Sequence, residues 1–545
     1  MQELKHAVQA AAKNLYGAEI EPELSRPAEQ FGDYATNAAL QLAKKAAKSP
    51  PEIARALAED LQNQPGIKSV KIAGPGFINF RLTDEALQNA ALNAVQLPKP
   101  LNGQEILVEF GDPNPFKEMH IGHLYSYIVG DAISSLLESN GAAVKRLSYH
   151  GDVGLHVAKA IYGLRSIQNQ AGAETIELEN YLGKAYSLGN QKYEDEPAAK
   201  REIDQINAEI YQKNNPEINK LHEKGSRISF EYFDKILDLL SISTDRRYLE
   251  SEAIEPGLKA VKANIGKVFQ ESQGAVIYDG EKASLHTRVF ITSKGLPTYE
   301  TKDLGLTQLK DKDFPKADRS IIITANEQSD YFKVMLAALA DIKPETARRT
   351  NHLSHGFVSL STGKMSSRTG QVYPSMKLLL DVKEAVHKLY PDSKVRKEVT
   401  FGAVKFGFLK HRLGSDIVLD VKESISLEGQ SGPYLQYAYA RACSLLEKAQ
   451  DKDQAEIGDL DESERSLARK LSEYPEVIDK AVTELMPHHI CTYLYELAQN
   501  FNSFYEKSRI IGDQREAARL ALVRAYKNVL ASGLDILNIA APEKM

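Results

Sequence analysis

Two histidines three positions apart, His120 and His123, stand where an extended stretch gives way to a helical one. Upstream, Glu105-Ile106-Leu107-Val108-Glu109-Phe110 reads as a strand, which Asp112-Pro113-Asn114-Pro115 cannot continue because proline has no ladder donor. Downstream, Ile121, Leu124, Ile128 and Ala132 repeat at helical spacing, so both imidazoles fall in the first turn of a helix. The free backbone N–H groups and positive dipole end of such a turn suit phosphate. A single His-x-x-His is more often a surface or core pair, so the rest of the chain has to agree. A second stretch with chemical capacity is Gly363-Lys364-Met365-Ser366-Ser367-Arg368-Thr369-Gly370. Glycines at both ends let it swing, and Lys364 can neutralise charge developing on a triphosphate during displacement. The bland alternative is a basic surface turn.

The elements that must position these residues follow from the surrounding pattern. Residues 101–170 predict a nucleotide-binding α/β half, with a second strand at 144–149 just before His150-Gly151-Asp152. Residues of about 170–240 are polar and helical in pattern and read as an insertion. Strands at 274–278, 288–291 and 320–324, the last an apolar run fit for burial on both faces, are expected to complete the sheet. Before this unit, helices near 2–15 and 35–62 and strands at 69–72 and 77–82 around Gly74-Pro75-Gly76 predict a small α+β module, closed by the linker Leu97-Pro98-Lys99-Pro100. From about 376 onward helical periodicity dominates. The expected fold class is multidomain α/β with a parallel sheet: an amino-terminal module over 1–98, a catalytic domain over 99–375 with its insertion, and an all-α part over 376–545.

The 545 residues, 42% of them hydrophobic, can bury more than one core. With 68 Lys and Arg against 74 Asp and Glu the formal charge is −6, so no global basic field announces nucleic acid. A local groove is still compatible with an acidic body; Lys405–Arg412 and Arg465–Lys470 are candidates, each otherwise a solvated helix face. Cys443 and Cys491 are the only cysteines, and no Cys/His cluster has metal-ligand spacing, which suggests neither a disulfide framework nor a structural zinc and fits a reducing cytoplasm. The first residues form an amphipathic pattern unlike a signal peptide, and no apolar run approaches membrane-spanning length.

In this context His120-Ile121-Gly122-His123, with Lys117 before it and Gly130-Asp131 after it, resembles the HIGH signature of class I aminoacyl-tRNA synthetases, in the form found in the arginyl enzymes. The 363–370 loop resembles their KMSKS signature, with Arg368 where a second lysine is usual; arginine keeps the charge but as a planar fork. Many arginyl enzymes have a degenerate second motif and a compensating lysine before the first, whereas this chain has both Lys117 and Lys364, so their division of labour stays open. The resemblance implies a Rossmann-like catalytic domain using ATP with Mg2+. His120, His123, Lys117, Lys364 and Arg368 would be catalytic, and Gly122, Met365, Ser366 and Ser367 would join the histidines around ATP.

A guanidinium is best read by carboxylates in fork geometry and by a flat face. Tyr248-Leu249-Glu250-Ser251, Tyr299-Glu300-Thr301-Lys302-Asp303 and Asn326-Glu327-Gln328-Ser329 resemble the arginyl family's pocket segments. By that resemblance Glu250 and Asp303 take the guanidinium, Tyr299 lies beside it, Asn114 and Gln328 hold the amino and carboxylate end, and His150 belongs to the same pocket. Tyr299 and Asp303 share a face if a helix begins there, and Glu252 is a close rival for Glu250. His156 departs from the family's usual pattern. Residues 31–37 and 74–80 resemble the family's additional amino-terminal domain, which touches the tRNA elbow; Asn79 and Phe77 are its candidates, with Phe80 read as core.

In the carboxyl-terminal part, Ser431 to Arg441 opens a helix whose tyrosines and Arg441 could stack on an unpaired RNA loop. Tyr437 is expected to be packed and Arg441 to be the better RNA contact, although both enter the candidate set. The segment Gly533–Met545, ending Ala-Pro-Glu-Lys-Met, resembles the end of the arginyl enzymes' anticodon-binding bundle, with Leu494, Leu497, Phe501, Phe504 and Tyr505 on its inner face. The whole chain is thus similar to an arginine-tRNA ligase. That implies tRNA(Arg), arginine and ATP as partners, tRNA-dependent activation, a cytoplasmic monomer and no membrane. A nucleotidyltransferase with the related HxGH turn would leave both accessory domains without purpose. A non-catalytic RNA-binding paralogue would not need His120, His123 and Lys364. Cysteinyl and methionyl enzymes often carry zinc-ligating cysteines that this sequence lacks.

Overall fold

The computed structural model describes residues 2–171, 179–361, 373–449 and 458–545. At its centre are five parallel strands in the order Thr350–His355, Arg319–Ala325, Glu105–Glu109, Ala143–His150, Arg246–Leu249. Ile106, Val108 and Ile321 are fully buried because helices cover both faces, as a parallel sheet requires. From Glu105–Glu109 the chain moves outward through Ala143–His150 to Arg246–Leu249, then returns to the other side of the starting strand. The order reverses there, and in open α/β sheets ligands bind in the crevice outside the carboxyl ends at that point.

Two of the strands expected in this sheet lie elsewhere. Ala275–Tyr278 and Arg288–Ile291 pair antiparallel with each other, and Phe269–Ser272 extends them into a separate three-stranded sheet. The link between the two is too short for a parallel crossover, which takes a dozen or more residues. The outer positions of the main sheet are filled instead by Arg246–Leu249 and Thr350–His355.

In the amino-terminal module, Gln2–Tyr16, Ala38–Ala46 and Pro50–Leu61 accompany an antiparallel sheet in which Tyr34–Thr36 and Phe77–Leu82 are neighbours. The single helix expected over 35–62 is therefore a short strand and two helices. Ala47 turns left-handed (φ 49°), and Ser49 and Glu52 form a capping box ahead of Pro50 and Pro51, which are tolerated only in a first turn. The insertion consists of Glu179–Asp195, Pro197–Gln212 and Pro216–Leu240. The carboxyl-terminal part is a helical bundle from Ser375–Leu389 to Glu516–Ile536, joined to the sheet domain by an unanticipated parallel strand pair, Val358–Leu360 with Ile417–Leu419. Leu494, Leu497, Phe501 and Phe504 are buried as expected, Phe501 stacking on Tyr526 at 3.8 Å, while Tyr505 stays partly exposed.

Most of the cations in the two basic segments are tied into internal contacts, Arg412 being exposed. Lys405 is buried and donates to the Asn538 carbonyl at 2.6 Å. Arg465 reaches into the amino-terminal module, donating to Asp33 at 2.6 Å and the Leu82 carbonyl at 3.1 Å and pairing with Asp84. Arg469 donates to the Pro27 carbonyl at 2.5 Å, and Arg26 returns the contact by pairing with Glu476 at 2.7 Å. These charges clasp the two ends of the chain together.

Candidate active site

The switch point opens into a cavity of about 1210 Å³. His120 and His123 stand on one wall; Asp112, Asn114, Tyr149, Gly151, Glu250, Tyr299, Asp303, Gln328 and Tyr331 line much of the rest. The histidine helix runs Ile121–Ser139, with His120 as its N-cap. His120 Nδ1 accepts from the N–H groups of Gly122 (3.2 Å) and His123 (3.4 Å), and His123 Nδ1 accepts from the His120 N–H at 3.4 Å. The rings stack with centroids 3.6 Å apart. A neutral imidazole that accepts through Nδ1 carries its proton on Nε2, so each ring keeps one N–H to donate. Burial holds both in that form: it lowers the His120 pKa to about 4, helped by Lys117, and His123 well below the usual imidazole range, helped by His120. Gly122 suits this cap, since a Cβ there would lie 3.0 Å from the His120 ring and crowd it.

The same cavity is lined by carboxylates from several elements. Asp112 follows the Glu105–Glu109 strand in a left-handed conformation (φ 50°), and its carboxylate accepts from the Tyr149 N–H at 2.7 Å. Burial, then the charge of Glu109, raises its pKa well above the carboxylate range. Glu109 itself pairs with Lys310 at 2.5 Å, both deeply buried. Asp303 accepts from the Tyr331 hydroxyl, and burial pushes its pKa up to about 7, with Glu109 and Glu250 adding to the rise. Tyr299 and Asp303 lie one turn apart on the helix Tyr299–Asp313, as their spacing predicted.

Glu250 opens the helix Glu250–Ala263 and is buried, but one of its oxygens is held by Lys302, whose ammonium sits 4.4 Å from the centre of the Tyr299 ring. The rival Glu252 points away, to Arg246 at 3.2 Å. Gly151 leaves room for the pocket: a Cβ would stand 2.5 Å from Asn114 Oδ1 and 3.3 Å from Glu250 Oε1. Asn114 accepts from the Gly151 N–H at 3.1 Å.

The structure removes one residue from the arginine set. His150 is fully buried with both ring nitrogens occupied, by the Pro113 carbonyl at 2.7 Å and the Ser148 hydroxyl at 2.9 Å. It holds the strand-end turns together from below instead of lining the cavity. His156 likewise spends its Nε2 on the Gly151 carbonyl at 2.9 Å. Lys117 is on the cavity wall, its ammonium 4.6 Å above the Tyr186 ring of the helical insertion. Lys364, Met365, Ser366, Ser367 and Arg368 lie outside the described residues. Asp112, Tyr149 and Tyr331 were missed in the sequence, where Asp112-Pro113-Asn114-Pro115 reads only as a strand breaker. The signal available was position: an acid just beyond the carboxyl end of a central parallel strand stands where ligands bind.

Far from the cavity, Phe77 is exposed on its strand, Phe80 is buried, and Asn79 is largely covered. Tyr437 faces solvent, contrary to the expected packing, because Leu435, Gln436, Ala438 and Tyr439 fill the buried side of its helix. Arg441, one turn on, lies 4.3 Å over the Tyr505 ring and donates to Asn502 at 3.4 Å. Among the described residues no group of three or more His, Cys, Asp or Glu side chains is arranged to hold a metal ion, and no helix is long and apolar enough to cross a membrane.

Three family models match the chain in order: the arginyl-tRNA synthetase N-terminal domain over 2–82, the class I (R) tRNA synthetase catalytic domain over 86–418, and the DALR anticodon-binding domain over 435–545. An arginine–tRNA ligase of Bdellovibrio bacteriovorus is 31% identical, the match covering 98% of this chain and 95% of the relative; one of Lactobacillus delbrueckii subsp. bulgaricus is 32% identical over 99% and 98%. The solved structure of Thermus thermophilus arginyl-tRNA synthetase matches with a TM-score of 0.85 at 27% identity, covering 100% of both chains. A parallel sheet with stacked histidines at its switch point, continued into an anticodon-binding bundle, defines a class I aminoacyl-tRNA synthetase. The cavity that holds those histidines also carries several carboxylates, as a guanidinium requires, and the chain belongs to the arginyl-tRNA synthetase family. It is an ATP-using ligase that charges tRNA(Arg) with arginine.

Proposed function

We propose the following division of labour in that reaction. The arginine guanidinium enters among Asp303, Asp112 and Glu250 with Tyr299 at its side, and Asn114 and Gln328 orient the amino and carboxylate end. A carboxylate oxygen of arginine attacks the α-phosphorus of ATP in line; the bond to the bridging oxygen breaks and pyrophosphate leaves with the electron pair. The Nε2–H groups of His120 and His123 stabilise the equatorial oxygens of that transition state, acting as neutral donors already aimed before the charge develops. Lys117, Lys364 and Arg368 hold the leaving phosphates. The 2′-hydroxyl of the terminal adenosine then attacks the arginyl carbonyl carbon and AMP leaves, so no covalent enzyme intermediate forms. Mg2+ enters as part of the ATP substrate.

The observation that carries the assignment is the presence of two neutral histidines and an acidic wall in one cavity. The reading also includes the division at 98/99 and 375/376, with the insertion at about 170–240. Phe77, Asn79, Tyr437 and Arg441 are the proposed tRNA contacts, of which Phe77 and Tyr437 offer open aromatic faces. Activation is proposed to require bound tRNA. We place the protein in the cytoplasm, supported by its two free cysteines, and propose that it acts as a monomer. Competition between arginine and citrulline, its neutral isostere, tests the pocket. The charged substrate is preferred by at least about 100-fold, because citrulline would leave buried carboxylates unpaired; near-equal kcat/KM would refute recognition by charge.

A further inference from the structure

Two motifs have no part in this chemistry: Gly130-Asp131, which follows the histidines, and Leu537-Asn538, near the end of the bundle. The fold brings them together across 407 residues of sequence. Asn538 lies just past the helix Glu516–Ile536 in a left-handed conformation (φ 54°), which asparagine tolerates better than most side chains. Its Nδ2 donates to Asp131 Oδ2 at 2.7 Å and to the Ser135 hydroxyl at 2.9 Å. Its carbonyl accepts from Lys405 Nζ at 2.6 Å, which ties the turn to the helix Arg396–Leu409.

We propose that Asn538 is a positioning residue for adenylate formation: through Asp131 it fixes the helix whose first turn presents His120 and His123. Three observations carry this. Asp131 and Ser135 lie on the histidine helix itself, about 16 and 22 Å along its axis from His120 at 1.5 Å per residue. A rigid helix passes a shift at one end to the other nearly undiminished.

The neighbouring flank of that helix, about 100° round from Asp131, has no slack. A Cβ at Gly130 would lie 2.2 Å from Phe110, so the helix is pressed onto the end of the central strand and Asn538 closes the grip from outside. The same carboxylate also accepts from Arg146 Nε at 3.1 Å, and Arg146 sits in the strand Ala143–His150, whose end carries the Tyr149 and Gly151 of the cavity. One buried carboxylate thus sets the register of the histidine helix, the neighbouring strand and the last turn of the anticodon-binding bundle. This rests on the assignment of the histidines to adenylation.

The test uses Asn538→Gly in the full chain, a change that suits the left-handed backbone while deleting the carboxamide. Arginine-dependent ATP–pyrophosphate exchange is measured at saturating tRNA(Arg), beside tRNA affinity and thermal midpoint. The expected result is a kcat lowered about tenfold, as for a small misplacement of catalytic groups from a distance. KM for arginine and ATP and tRNA affinity stay within about threefold. The swap Asp131→Asn with Asn538→Asp restores a donor–acceptor pair and recovers most of kcat. An unchanged kcat, a loss cured by more tRNA, a parallel rise in both KM values, or a swap that recovers nothing would overturn the proposal. Failure of the unmodified protein to exchange with arginine would instead overturn the underlying functional reading, before any variant is compared.

Discussion

The acidic wall makes arginine use depend on pH in a way that singles out Asp303. Burial and the neighbouring carboxylates raise its pKa to about 7, so in the empty pocket near neutrality about half of the molecules carry it protonated. An entering guanidinium favours the ionised form, which places the bound-state pKa lower. The affinity gained from this charge is therefore complete only about a unit above pH 7 and is lost as pH falls through 7, approaching tenfold in kcat/KM for arginine per unit. In the proposed arrangement ATP binds at the histidines and not at this wall, so its KM should change little between pH 6 and 8. In Asp303→Asn the slope becomes shallower, Asp112 contributing what remains, and kcat/KM for arginine falls by about two to three powers of ten. That magnitude is the roughly 3–5 kcal/mol cost of leaving one member of a buried charge pair without its partner. The assay is arginine-dependent pyrophosphate exchange at saturating ATP and tRNA across pH 6–8.5, in both proteins. A flat arginine profile in the unmodified protein, or an Asn variant within threefold of it, would refute the reasoning. The Asn variant should also unfold at a higher temperature, because it removes a desolvated carboxylate; sites kept for function are commonly held at a cost in stability.

Three further outcomes follow from the same structure. His123→Ala removes a preset donor and should slow adenylation by about 10²–10³-fold while leaving tRNA affinity within threefold by filter binding; equal losses in both would remove its catalytic role. Arg465→Leu leaves Asp33 and Asp84 without their buried partner, so calorimetry should show the amino-terminal module losing about 3–5 kcal/mol, with the arginine KM unchanged. Tyr437→Ala exposes no core and should weaken tRNA binding by about 1–3 kcal/mol, the usual worth of one base stacked on an aromatic ring; no change would withdraw Tyr437 from the interface.

The sequence was most legible where local pattern and chemistry agreed. The strand–proline turn–helix around His120 and the buried run at 320–324 both follow from periodicity, and the one-turn spacing of Tyr299 and Asp303 placed them correctly. Edge strands were not legible: Arg246–Leu249 and Thr350–His355 carry the polar residues that an exposed sheet edge allows, and so resemble loops. Pairing direction was also hidden, because apolar residues at 275–278 and 288–291 fit a parallel or an antiparallel sheet equally well. At the site, side chains were identifiable by type but not by partner. Glu250 shares its charge with Lys302, His150 faces inward, and Arg465 serves a domain clasp, each decided by contacts across long stretches of chain.

The central claim is that this cavity makes arginyl-adenylate. It is tested most directly by ATP–pyrophosphate exchange with the purified protein, supplied with arginine or with lysine, in the presence and absence of tRNA carrying an arginine anticodon. Exchange with arginine but not lysine, appearing only when that tRNA is present, is the predicted result. No exchange with arginine under either condition in a folded preparation would contradict it.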